Sequence, residues 1–465
     1  MHLVRVGSIA LVVAALPALA PGQEESLRID AEHPRILLVQ RRLKLLRRER
    51  ERQSLRWNQF QLLMAGKAPM PEPGFANALY YEVSGDSQAG RDAVAWALGP
   101  GADLRQLALV FDWCQNVLTG TQSKVLAAKL ARGIEQTRSD SSLGAVRSRL
   151  LAAVALAGHL PEVSDPELEQ MVHKWWEGQI APALNAGRQS LPLDDSYALL
   201  EMLHVVRDNL NVDLRDAAPR FFHDLPLIHL LSCYPATYAA AENEYRIPAM
   251  LHPTAEPDLR RAALARAAEL SMVAYDSNAP SSQLLQGWLM NDNFLMRGAF
   301  GIPYEFLWAN PYQPGLSYYH APLVLHDELF GRLFVRSSWE ESAAWLGFFG
   351  GNLQLFQNGR VTVLNAQLDA EPLPLGKAVI LFGARTRKFK VEVSGDEPVF
   401  VVGLKPRQTY AIEVDREEVR EEVSDPGGIL QLDLPHKAET AVRLREVGAG
   451  DRITGPQQAP AFVRK

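Results

Sequence analysis

From about residue 40 to about residue 300, apolar positions recur every three or four residues, the period of helices that bury one face. Leu104, Leu107, Ala108, Phe111 and Leu118 make one such stripe within 102–118. Thr119-Gly120-Thr121-Gln122 then predicts a capping box that opens a helix burying Leu126, Leu130 and Ile134. Ser164-Asp165-Pro166-Glu167 predicts a further helix start, with proline early and glutamate third. Further amphipathic stretches cover 143–157, 193–210 and 258–275, and short connections make successive helices antiparallel neighbours. Together they predict helix hairpins closing into an (α/α) toroid; the absence of a fixed-period repeat argues against a regular solenoid. The pattern changes near Pro311–Pro322. From Arg332 onward, short β-rich runs alternate with turns, among them 345–349, 353–356, 361–364, 379–382, 389–393, 399–402 and 410–414. Asn358-Gly359 between two apolar runs is a strong hairpin signal, and Asp425-Pro426-Gly427-Gly428 is another turn. Strands at this spacing predict an antiparallel β-sandwich.

The N-terminus changes the picture. Arg5 precedes an apolar run from Val6 to Ala20, too short for a comfortable bilayer span and followed by small residues, which reads as a signal peptide cut before Gln23. The expected organisation is therefore a signal peptide over 1–22, a toroid over 23–315, a sandwich over 316–452 and a tail over 453–465, in a periplasmic or secreted protein. A net charge of -6 over 465 residues, with no basic tail, excludes nucleic acid and anionic membrane as natural partners; a polyanion would need a local basic pocket. The basic run Arg41–Arg50 is interrupted by Leu43, Leu45 and Leu46 and offset by Glu49 and Glu51, which reads as a solvated helix face. Cys114 and Cys233 read as two buried thiols or one bridge, not a disulfide framework.

Three stretches resemble heparinase II/III-like polysaccharide lyases: His33-Pro34-Arg35-Ile36-Leu37-Leu38 followed by Trp57; Leu107-Ala108-Leu109-Val110-Phe111-Asp112-Trp113 before Leu118-Thr119; and Phe334-Val335-Arg336-Ser337-Ser338-Trp339 before Ala343-Ala344-Trp345-Leu346-Gly347. The resemblance implies a helical toroid followed by a β-sandwich, a polysaccharide or oligosaccharide ligand, and, on the strand after the tryptophan motif, His and Asp residues serving catalysis or a metal. Here that stretch, Phe349 to Gly359, contains no His and no Asp, so neither metal nor cofactor is assigned to any residue.

Elimination at a uronic acid needs a group that neutralises the carboxylate, a base for the C5 proton and an acid for the leaving oxygen. Two stretches bring such types together. Leu231–Pro248 holds Tyr234, Tyr238, Glu242, Asn243, Glu244, Tyr245 and Arg246 in a loop that suits either a groove wall or simple packing. Asn291–His320 holds Asp292, Arg297, Tyr304, Glu305, Trp308, Tyr312, Tyr319 and His320 where the helices should meet the sandwich, and its rings suit either sugar stacking or a domain interface. Asn243 or Arg297 is the candidate for the carboxylate, and Tyr245 or His320 for the base. Tyr238, Glu242, Arg246, Tyr304, Glu305, Trp308 and Tyr319 are candidate substrate contacts. His229 is a further candidate, His204 reads as a core histidine, and His33 as a cap of the first helix. Three functions fit: a lyase on acidic polysaccharide, a non-catalytic glycan binder on the same scaffold, or an inverting hydrolase pairing Glu242 with Asp292 or Glu305.

Overall fold

The computed structural model describes residue 29 and residues 32–448, apart from 189–190, 294–295, 365–370, 393–396 and 436–438. The signal-peptide and tail expectations lie outside the described residues.

Helices occupy the chain from Gln40–Glu51 to Gly298–Trp308, and β-strands dominate from Val324 onward. The capping box forms as expected: the Thr119 side chain accepts from the Gln122 backbone amide, and the helix Gly120–Gln136 buries Leu126, Leu130 and Ile134. Asp103 caps Leu104–Trp113 in the same way. Two local readings are corrected. The helix around Ser164 starts earlier and runs Pro161–Glu169, because Leu160 and Pro161 already adopt the entry geometry; Ser164 is an interior residue whose hydroxyl donates to the Ala153 carbonyl at 2.8 Å. His33 does not cap Gln40–Glu51; its Nδ1 lies 2.6 Å from Asp112 Oδ1.

That contact is part of a latch between two of the motifs singled out above. Asp112 Oδ2 accepts the backbone amides of Arg35 (2.9 Å) and Ile36 (2.8 Å), and the Trp113 indole donates to the Ile36 carbonyl at 2.8 Å. A buried carboxylate taking two amides and facing a histidine and an arginine is well compensated. The second helix, Leu55–Ala65, also meets the last: Trp57 and Phe60 pack on Phe306, and Arg56 donates to the Ala309 carbonyl.

Downstream, the strands form a five-stranded meander over Val324–Leu364 and two four-stranded sheets. Asn358 and Gly359 take φ of 52° and 75° at the hairpin between Asn352–Gln357 and Arg360–Leu364, as a two-residue turn with both central φ positive requires. The expectation of a purely antiparallel sandwich is modified in two ways. Ala378–Phe382 and Val399–Val402 pair in parallel, and the layers are three. Leu333, Val335, Leu346 and Phe348 of the meander pack on Ile380, Phe382, Phe400 and Val402; the other face of that middle sheet (Val379, Leu381, Val399, Val401) packs on Tyr410, Ile412, Val442 and Leu444 of the third. A strand covered on both sides needs apolar residues at every position, hence Ala-Val-Ile-Leu-Phe over 378–382.

The meander's outer face joins the helical core through Phe334, Trp345 and Phe356. The Trp345 indole donates to the Leu231 carbonyl at 2.7 Å and the Trp339 indole to the Ala321 carbonyl at 3.1 Å. Cys114 and Cys233 are both free and buried, so the bridged alternative falls away. Among the described residues no helix is long and apolar enough to cross a membrane.

Candidate functional site

The stretch read as a loop between Leu231 and Pro248 is an antiparallel hairpin, Cys233–Ala239 with Glu244–Pro248, interrupted by an irregularity between Cys233 and Thr237. The Ala240 amide donates to the Asn243 carbonyl at 2.9 Å and closes its tip. Arg246 anchors the returning strand: its guanidinium lies 4.5 Å over the Trp288 ring and donates to the Pro235 carbonyl at 2.8 Å.

The tip overhangs a cavity of about 440 Å³. One wall is the hairpin with Glu242, Asn243, Tyr245 and Arg246; the second is the first turns of the helix Leu259–Tyr275, with Arg260 and Arg266; the third is Met296, Arg297 and Phe300 at the start of Gly298–Trp308. Asn243, Tyr245 and Arg297, nominated from two distant stretches, thus line one space, together with Glu242 and Arg246.

Two of the lining arginines, Arg246 and Arg266, belong to an ionic chain. Asp292 receives Arg246 at 3.3 Å and makes a second, shorter bond with Arg266. Burial would raise the Asp292 carboxyl, but Arg266 and Arg246 prevail and hold it below the usual carboxylate range. Glu269 lies behind Arg266 at 3.6 Å, and burial raises it to about 7. Arg266 is 8% exposed, and its Nη1 has no hydrogen-bond partner among the described residues. A buried guanidinium nitrogen without an acceptor, in the wall of a cavity, is a ready partner for a ligand oxygen. Tyr245 is pushed above the usual phenol range by burial and by Glu242.

Other nominated residues lie elsewhere. Tyr304, Glu305 and Trp308 are 2%, 4% and 2% exposed, and the expected role of their rings and carboxylate as sugar contacts is corrected to packing. The Tyr304 hydroxyl bonds Glu72, and its ring packs between Phe75 and Tyr197. The Trp308 indole donates to the Tyr197 hydroxyl at 3.0 Å. Glu305 Oε2 accepts the Met296 amide at 2.7 Å, and burial lifts this carboxyl to about 7. Tyr319 and His320 are exposed on the short turn Tyr318–His320 and do not line the cavity; nor does Tyr238, which sits opposite Tyr245 on the hairpin. His229 is buried with Nε2 3.0 Å from the Ser196 hydroxyl, and burial lowers it to about 4. His204 is a core histidine, its Nε2 3.0 Å from the Ser271 carbonyl.

Arg260 and Arg266 escaped the sequence reading, although positions 259, 262, 263 and 266 recur at helical spacing and all face the cavity. On the strand Asn352–Gln357, where the resemblance implies His or Asp, Gln354 is buried and accepts from the Tyr234 hydroxyl at 2.8 Å. Among the described residues no three His, Cys, Asp or Glu side chains gather to hold a metal ion, so the residues present do not fit the implied metal.

No family model matches the chain, and no curated protein matches it either. Among solved structures, one titled "Glycoside hydrolase" is similar at 11% identity with a TM-score of 0.28, over 81% of this chain and 71% of that one.

Proposed function

We propose that this chain is an exported protein that binds acidic polysaccharide in the hairpin cavity and cleaves it by β-elimination, on a helical toroid joined to stacked β-sheets. The observation that carries the reading is the shared cavity wall of Asn243, Tyr245 and Arg297. In this reading Arg297 and Asn243 take the uronate carboxylate, which acidifies the C5 proton by drawing charge from the developing enolate. Tyr245 removes that proton, and its neutral form then returns a proton to the leaving oxygen. His320, exposed outside the cavity, has no part in this scheme. The test is incubation with a panel of uronic-acid polysaccharides, watching for the ultraviolet absorbance of an unsaturated uronide. A panel that gives no such signal sinks the elimination step.

Two observations favour a second reading, a glycan-binding protein without turnover. The stretch Phe349–Gly359, where the resemblance implies catalytic or metal-binding His and Asp residues, holds neither. Tyr245, held above the usual phenol range, is a reluctant base. Saturable binding of the same polysaccharides without release of unsaturated ends would select this reading.

A further inference from the structure

A second cavity, of about 620 Å³, lies at the far end of the helix Gly298–Trp308, between the first helix and the C-terminal end of Leu259–Tyr275. Its wall gathers the cations Arg41, Arg42, Lys44, Arg48 and Arg207 against one carboxylate, Asp208. The basic run that reads as a solvated face therefore borders an open, concave space. In a chain of net charge -6, five cations around one acid are a sharp local reversal of sign.

Asp208 is engaged with Arg207 Nε at 3.0 Å, so it offsets one of the five cations and leaves an excess of four. Arg41, Lys44 and Arg48 are exposed and have no carboxylate at ion-pair distance among the described residues. Arg42 is pressed 4.2 Å over the Trp308 ring, and burial, aided by Arg207 and Arg41 and opposed by Asp208, lowers its guanidinium to about 10. Two buried donors bordering the space, Arg42 Nε and Gln313 Nε2, have no hydrogen-bond partner among the described residues. The rings do not invite stacking, because Trp308 already carries Arg42 and Tyr275 carries Arg207 at 3.8 Å. Unmatched charge, unmatched donors and occupied ring faces all ask for oxygen acceptors bearing negative charge.

We propose that this cavity is a second binding site, for a small multiply charged oxyanion of the sulfate-ester or phosphate-ester type. The site is independent of the hairpin cavity and of any turnover there. Fork-shaped guanidinium groups meet tetrahedral oxyanions through paired hydrogen bonds, and the flanking ammonium of Lys44 adds charge without geometric demand.

The experiment is calorimetric titration of the full chain at fixed ionic strength with inorganic pyrophosphate, a sulfated disaccharide that contains no uronic acid and the same disaccharide desulfated. At least one charged probe binds, the desulfated sugar does not, and R41S/R48S weakens binding by at least about tenfold. R42Q weakens it too, whereas R297Q in the other cavity leaves it unchanged. Pyrophosphate alone binding assigns a phosphate ester, and the sulfated sugar alone a sulfate ester. The proposal is overturned if neither charged probe binds, if the desulfated sugar binds equally, or if folded R41S/R48S and R42Q bind as the wild type does.

Discussion

Glu242 Oε2 lies 2.1 Å from the point where a Cβ on Gly298 would stand. The hairpin tip therefore rests directly on the start of the helix Gly298–Trp308, and only glycine, here at φ 79°, permits both the contact and the turn. The helix N-terminus also favours the carboxylate placed on it. Gly298→Ala is expected to destabilise by about 1–3 kcal/mol through backbone strain and to push the tip away, so glycan binding falls by more than stability alone explains. Adding Glu242→Ala should recover part of the loss, with a coupling of about 1 kcal/mol in a double-mutant cycle read by denaturant unfolding. Additive effects would show that the contact does not position the tip.

Asp292 joins Arg246 of the hairpin to Arg266 of the neighbouring helix, and this pair of bonds ties together two arginines of the cavity wall. Asp292→Asn removes the anion shared by two largely buried guanidinium groups, leaving Glu269 at 3.6 Å from Arg266 and the exposed Glu341 at 3.7 Å from Arg246, and is expected to cost about 3 kcal/mol. The pH dependence has a definite sign. The folded-state pKa is depressed, so the stabilisation is complete above the unfolded value of about 3.9 and is lost as pH falls through the folded value. Thermal melts of the wild type should drop below about pH 4, with a shallower drop in the variant. Parallel acid profiles for the two proteins would remove Asp292 from this role.

What the sequence discloses divides by range. The Thr119 capping box, the Asn358-Gly359 turn and the apolar run 378–382 are legible because neighbouring residues decide them. The hairpin of Cys233–Ala239 is not, because Pro235 and the irregularity before Thr237 break the alternation that marks a strand. Asn243, Tyr245 and Arg297 were legible as residue types, while their meeting depends on Gly298 and on the register of Tyr238 with Tyr245, which no local pattern encodes. Tyr304 and Trp308 mislead because aromatic rings serve cores and sugars alike. Their helix is apolar on every side from Gly301 to Trp308, apart from Glu305, and such a helix belongs inside.

Glu305 carries a prediction of opposite sign to that of Asp292. Its carboxyl is raised to about 7 by burial, with the Met296 amide only partly opposing. A raised carboxyl stabilises fully below the unfolded pKa of about 4.3, and that contribution fades as pH climbs through the folded value near 7. Glu305→Gln keeps an acceptor for the Met296 amide and never ionises. The variant should therefore gain on the wild type between about pH 4 and pH 7, by on the order of 3 kcal/mol at most, before levelling. Glu269, raised for the same reason, leaves part of the wild-type slope in place. Unfolding free energies at several pH values check this, and a constant offset between the two proteins would be the contrary result.

Tyr245→Phe separates turnover from binding. The ring and its place in the cavity wall persist while the hydroxyl goes, so affinity for a uronate oligosaccharide should change little and elimination should fall by about 10²–10⁴-fold. Because burial and Glu242 hold the phenol above its usual range, the ionised base is scarce at neutral pH. Wild-type kcat/KM should then rise about tenfold per pH unit well into the alkaline range, a slope that the variant lacks. Arg297→Gln should do the reverse, losing about 10–100-fold in affinity for the uronate, as expected for one charge-assisted contact, with little effect on an uncharged oligosaccharide. If Tyr245→Phe weakens binding and turnover equally, the hydroxyl is a contact rather than a base; the elimination scheme then loses its proton acceptor and the binding-only reading takes its place.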